Sequence, residues 1–120
     1  MTIKKVPAPE GIGAAGKKLW TDITAKWALR PDELRVLQDA AFEADLIETL
    51  NSSTSGEGFE LVVKGSQGQP VINPLISELR QHRSTLAGLL RQLKLPDENA
   101  PAAGSQQREA ANARWSKRGA

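Results

Sequence analysis

The residues with the most explicit chemical grammar are Gly11-Ile12-Gly13-Ala14-Ala15-Gly16-Lys17-Lys18. They satisfy the spacing G-x-G-x-x-G and come within one residue of G-x-x-x-x-G-K-[ST], patterns whose backbone N–H groups cradle phosphates. Both patterns require a buried parallel strand immediately upstream, and Pro7 and Pro9 stand in its place. Lys18 replaces the hydroxyl that would ligate magnesium, and no later strand carries a Walker-type acid. The run therefore reads as the start of a helix with lysines near DNA phosphates, not as a nucleotide site.

Other chemistries fare no better. Asp39, Glu43, Asp45 and Glu48 fall along one predicted helix with no nucleophile or base beside them, which is the spacing of a solvated face. One histidine, His82, and no cysteine leave no zinc cluster, no thiolate and no disulfide. The chain is expected to be a non-enzyme, with no catalytic residue, no metal site, no cofactor and no small-molecule substrate. Trp20 and Trp27 share a helical stripe with Leu19 and Ile23, so they are expected in the core or at a subunit contact. Trp115 sits among Arg114, Lys117 and Arg118 with little apolar company, as an exposed anchor would.

The elements that position these residues are mainly helical. Residues 13–29 carry apolar side chains at helical spacing and form a first helix. Arg30-Pro31-Asp32-Glu33 breaks and restarts the chain, with proline suited to the first helical position and the acids to the positive end of the dipole. Leu34, Leu37, Ala41, Ala44 and Ile47 line the second helix, which Asn51-Ser52-Ser53-Thr54-Ser55-Gly56 is expected to end. Together the two helices form an antiparallel hairpin. A short β-hairpin is expected at about residues 59–73, with Pro70 at an edge, and a ribbon of that size needs something to lean on. Asn73-Pro74 is a helix start, and the third helix runs to about Lys94. Its Leu75, Leu79, His82, Leu86, Leu89 and Leu93 form a heptad-like seam that wants a partner helix, in a second copy or within the same fold.

Three regions follow: a flexible N-terminal arm at 1–10, a helical core and oligomerisation domain at 11–96, and a flexible basic tail at 97–120. The formal net charge of +2 conceals segregation: residues 1–30 hold six Lys/Arg against two acids, residues 31–74 two against eight, and residues 99–120 four against one. Basic ends suit a polyanion, because neutralised phosphates release condensed counterions. An acidic middle between basic ends also lets neighbouring copies attract one another. No apolar signal core follows Lys4 and Lys5, and no apolar run approaches a membrane span, so a cytosolic setting without membrane contact is expected.

Taken in order, Gly16…Leu19-Trp20…Ile23, Leu29…Pro31-Asp32-Glu33…Leu37 and Ala40-Ala41…Asp45…Leu50 lead to Lys64-Gly65…Gly68, Asn73-Pro74, a leucine-rich helix and Leu93…Leu95-Pro96. This order resembles the small terminase subunits of tailed bacteriophages over residues 11–96. Arg30 departs from the pattern, standing where such proteins often carry a Ser or Thr cap, and the tail after Pro96 lies outside it. The resemblance implies a ring-forming oligomer in the host cytoplasm that binds double-stranded viral DNA at packaging initiation. It also implies a partner, the large terminase ATPase and nuclease subunit. Lys17, Lys18, Lys26 and Arg30 are the expected DNA contacts. Arg108, Arg114, Trp115, Lys117 and Arg118 are expected to reach DNA or the large subunit, and the seam of the third helix to serve oligomerisation. Two alternatives stay open: a dimeric helix-turn-helix regulator, disfavoured by its acidic second helix, and a head-assembly or connector protein that binds no DNA.

Overall fold

A computed structural model of the chain describes residues 5–96. Three helices and one antiparallel ribbon follow in the order α1 (Ala14–Lys26), α2 (Pro31–Ser55), β1 (Val62–Lys64), β2 (Pro70–Ile72) and α3 (Pro74–Leu93). The mainly helical architecture expected from the sequence is the one observed. No helix among the described residues is long and apolar enough to cross a membrane.

α2 starts where its residues dictate. Pro31 takes the first helical position, and the Arg30 backbone N–H donates to the Glu33 carboxylate at 2.8 Å, so the third helical residue reaches back to satisfy the capping position. α2 ends within the expected segment, at Ser55 with Gly56 as its cap, so residues 51–55 form the last turn. The Thr54 and Ser55 hydroxyls donate to the Leu50 and Asn51 carbonyls, at 2.8 and 2.6 Å, so residues read as breakers occupy the final turn as back-bonded helix.

The core sits between α1, the first half of α2 and the second half of α3. Ile12, Trp20, Ile23, Leu37, Ala40, Ala41 and Leu93 are buried together, with Leu86, Leu89 and Leu90 packed against them. Ala40 and Ala41 are fully buried, and their small side chains let α2 be approached closely from both sides. Leu37 and Leu93 meet near opposite ends of their helices while Arg83 donates to Asn51 Oδ1 at 2.8 Å, which makes α2 and α3 antiparallel. Past Asp45, α2 runs on beside α3 as a two-helix extension of the three-helix head.

The ribbon pairs Val62 with Ile72, Val63 with Val71 and Lys64 with Pro70. Pro70 lacks an N–H and terminates the short ladder, as its edge placement required. Gly68, at φ +81°, supplies the left-handed residue of the connecting turn, whose Gly68 N–H donates to the Gly65 carbonyl at 3.0 Å. Val62 and Ile72 remain about half exposed on one face. Asn73 ties the ribbon to α3: its Oδ1 accepts the Leu75 N–H and its Nδ2 donates to the Glu60 carbonyl, both at 3.0 Å, and its own N–H donates to the Leu61 carbonyl at 2.7 Å. Asn73→Ala removes the cap and one of the ties; it is expected to cost about 1 kcal/mol in urea unfolding followed by circular dichroism.

The leucine seam of α3 finds a partner helix within the same fold, one of the two alternatives expected. Leu79 and Leu93 are buried, Leu86 and Leu89 pack on the core, and His82 meets Glu43 of α2 in the same chain. The seam's partner is thus α2 itself. Leu79, His82, Leu86, Leu89 and Leu93 serve packing within the chain, and Leu75 is partly exposed.

Candidate nucleic-acid interface

α1 has two sharply different sides. Gly16, Trp20, Ile23 and Thr24 are buried, whereas Lys17, Lys18, Thr21, Asp22, Ala25 and Lys26 are exposed. Three of the four basic residues expected to contact DNA are therefore exposed, spread across the outward half of α1, with Lys17 and Lys26 about half a turn apart. Lys18 Nζ lies 2.9 Å from Asp22 Oδ2, but both groups are well exposed, so the pair is weak and exchangeable with a phosphate. Lys26 Nζ stands 4.9 Å from the centroid of the Trp27 ring, a cation–π contact that steadies its position at the end of the helix.

Arg30 is placed differently. Its Nε is 3.1 Å from Asp32 and 3.4 Å from Glu33, at the start of α2. Lys5 lines a shallow depression with Val6, Thr21, Thr24 and Ala25. The cause is Trp20: its indole N–H donates to the Val6 carbonyl at 3.0 Å, and Val6 and Ala8 pack on the core. Residues 5–10 carry no helix or strand, as expected of an arm, yet their backbone is tethered rather than loose. No sequence signal pairs a buried indole with a carbonyl 14 residues upstream.

The glycine run that mimics a phosphate loop does hold an anion. The Gly13 N–H donates to Asp45 Oδ2 at 2.6 Å and the Gly16 N–H to Asp45 Oδ1 at 2.8 Å. Gly13 is the capping residue of α1, has no side chain to cap with, and no acid lies in the first turn. Asp45, from the facing helix, supplies both the acceptor oxygens and the negative charge that this end of the dipole favours. Gly16 is required by proximity: a Cβ there would lie 2.6 Å from the Ala41 carbonyl oxygen and 2.8 Å from Asp45 Oδ2. The solvated-face reading of Asp45 is corrected accordingly. Asp39 pairs with Arg35 at 3.4 Å on the surface and Glu48 is exposed, as that reading held.

Glu43 departs from the same reading. Its Oε2 is 2.5 Å from His82 Nδ1, and His82 Nε2 is 3.6 Å from Glu78, so the histidine clasps α2 to α3. Among the described residues no group of three or more His, Cys, Asp or Glu side chains is arranged to hold a metal ion. Arg108, Arg114, Trp115, Lys117 and Arg118 lie outside the described residues. No protein-family model, curated protein or solved structure matches the chain.

Proposed function

We propose that this chain is a small terminase subunit of a tailed bacteriophage. It assembles into a homo-oligomeric ring in the host cytoplasm, binds double-stranded viral DNA where packaging initiates, and recruits or regulates the large terminase ATPase and nuclease subunit. It does no chemistry of its own. The observation that supports this reading is the exposed side of α1, which carries Lys17, Lys18 and Lys26, with Lys5 lining a depression against Thr21 and Ala25 of the same helix. Such a surface tracks phosphates without reading bases. Three or four lysines per copy bind DNA weakly, and a ring that presents many copies gains avidity from their high effective concentration.

The helix-turn-helix alternative is disfavoured by α2, the helix that would enter the major groove. It carries six acids against one arginine, and α1 and α3 already cover two of its sides. The head-assembly alternative differs in needing no DNA. Light scattering on the full chain separates the readings: the ring predicts a mass several times the 13.0 kDa of one copy. A dimer would favour the regulator. A monomer at micromolar concentration would contradict self-assembly.

A further inference from the structure

The charge of α3 is one-sided. From Leu79 to Pro96 the sequence holds four Lys/Arg and no Asp or Glu. With about 100° of rotation per residue, Arg80, Arg83, Ser84, Ala87 and Arg91 fall within an arc of about 100°, so they form one stripe along the helix. All five are exposed, and so is Lys94, which follows the last turn. Arg80 and Arg91 stand about 16 Å apart along the axis, at a rise of about 1.5 Å per residue. Between them Ser84 and Ala87 leave a low floor.

Contacts within the chain leave these charges unmatched. Arg80, Arg91 and Lys94 make no ion pair among the described residues, and Arg83 donates only to the neutral Asn51 side chain. Glu78, the acid just before the stripe, faces His82 instead. The helix dipole favours Arg91 in the last turn but gives no reason for Arg80 or Arg83. The exposed large apolar side chains of the described residues, Phe42, Leu46, Leu61, Val62 and Ile72, all lie outside α3. A protein partner needs an apolar anchor at the centre of its contact, and the stripe offers none. A polar, strongly positive surface is what a nucleic-acid backbone meets.

We infer that this stripe is a second contact for duplex DNA, in which Arg80, Arg83 and Arg91, continued by Lys94, meet phosphates of the backbone. The inference rests on the proposed DNA binding and adds to it a surface on a different helix from the α1 lysines. Guanidinium groups pair with phosphate oxygens through parallel N–H donors, and the small residues between them let a backbone come close. Such contacts hold the duplex without reading its sequence.

A charge-matched comparison on the full chain tests it. Arg80→Gln with Arg91→Gln removes two exposed cations from the stripe, and Arg35→Gln with Lys64→Gln removes two from elsewhere. Fluorescence anisotropy with a labelled duplex is expected to show about a tenfold loss of affinity at low salt for the α3 pair, and less than about threefold for the control. The slope of log K against log salt should become shallower by about 2 for each copy engaged, because two phosphate contacts at about 0.9 each are lost. Circular dichroism should report unchanged helix content, since glutamine is about as good a helix former as arginine, and light scattering an unchanged mass. A loss no larger than the control's would overturn the inference while DNA binding through α1 stands. So would a loss that tracks a fall in oligomer mass, which would make the stripe a subunit contact. Wild type that binds no duplex at any salt would overturn the functional reading as well.

Discussion

Asp45→Ala lowers the free energy of unfolding by about 2 kcal/mol, on the expectation that two charge-assisted hydrogen bonds and the dipole contribution are lost together. The value is held to that size because the contact with Gly13 is exposed to solvent. Gly16→Ala is expected to cost a similar amount, although alanine is the better helix former by about 1 kcal/mol. The new methyl group meets a backbone carbonyl at 2.6 Å, and backbone cannot turn aside as a side chain would. For a domain of this size each change should lower Tm by about 10 °C. The two act on the same α1–α2 contact, so the double variant should lose clearly less than the sum. Asp45→Asn keeps one acceptor and should fall between wild type and alanine. Urea and thermal unfolding followed by circular dichroism measure all four. A Gly16→Ala variant as stable as wild type would mean that α1 does not approach α2 as closely as described.

The second large effect is on DNA. Replacing Lys17, Lys18 and Lys26 together by glutamine is expected to weaken binding to duplex DNA about a hundredfold at low salt, because every copy in the oligomer loses three phosphate contacts. Arg30→Gln should change affinity by less than about twofold, since Asp32 and Glu33 already match that charge. It should instead lower stability slightly at the start of α2. Fluorescence anisotropy with a labelled duplex separates the two cases. An Arg30 effect as large as that of the triple lysine variant would place DNA on the α1–α2 turn and not on the outer face of α1.

The glycine run shows how far local pattern reaches and where it stops. That its glycines open a helix was legible from the sequence, and a helix start favours an anion. That the anion is the carboxylate of Asp45, 29 residues beyond Gly16, was not, because that pairing exists only once α1 lies against α2. The helix starts at Pro31 and Pro74 were legible because proline and its flanking cap residues act locally. The run at 51–56 was legible as the end of α2 but not its last residue, because hydroxyl side chains bond either to their own helix or against it, and only the surrounding turn decides. The seam of α3 was legible as wanting a partner helix, yet periodicity carries no information on whether the covering helix belongs to the same chain. Within the basic set, the ion pairs of Arg30 with Asp32 and Glu33 and the place of Lys5 beside Val6 and Thr21 depend on the folded chain and were not legible in the sequence.

The account's central claim is that many copies of a lysine surface hold viral DNA by its phosphates. The most direct measurement is the affinity of the full-length protein for duplex DNA as a function of salt. The account predicts a steep linear fall of log K with log salt, with a slope of about −4 or steeper, because each neutralised phosphate contributes about −0.9. Binding undetectable even at low salt, or an affinity indifferent to salt, would contradict it.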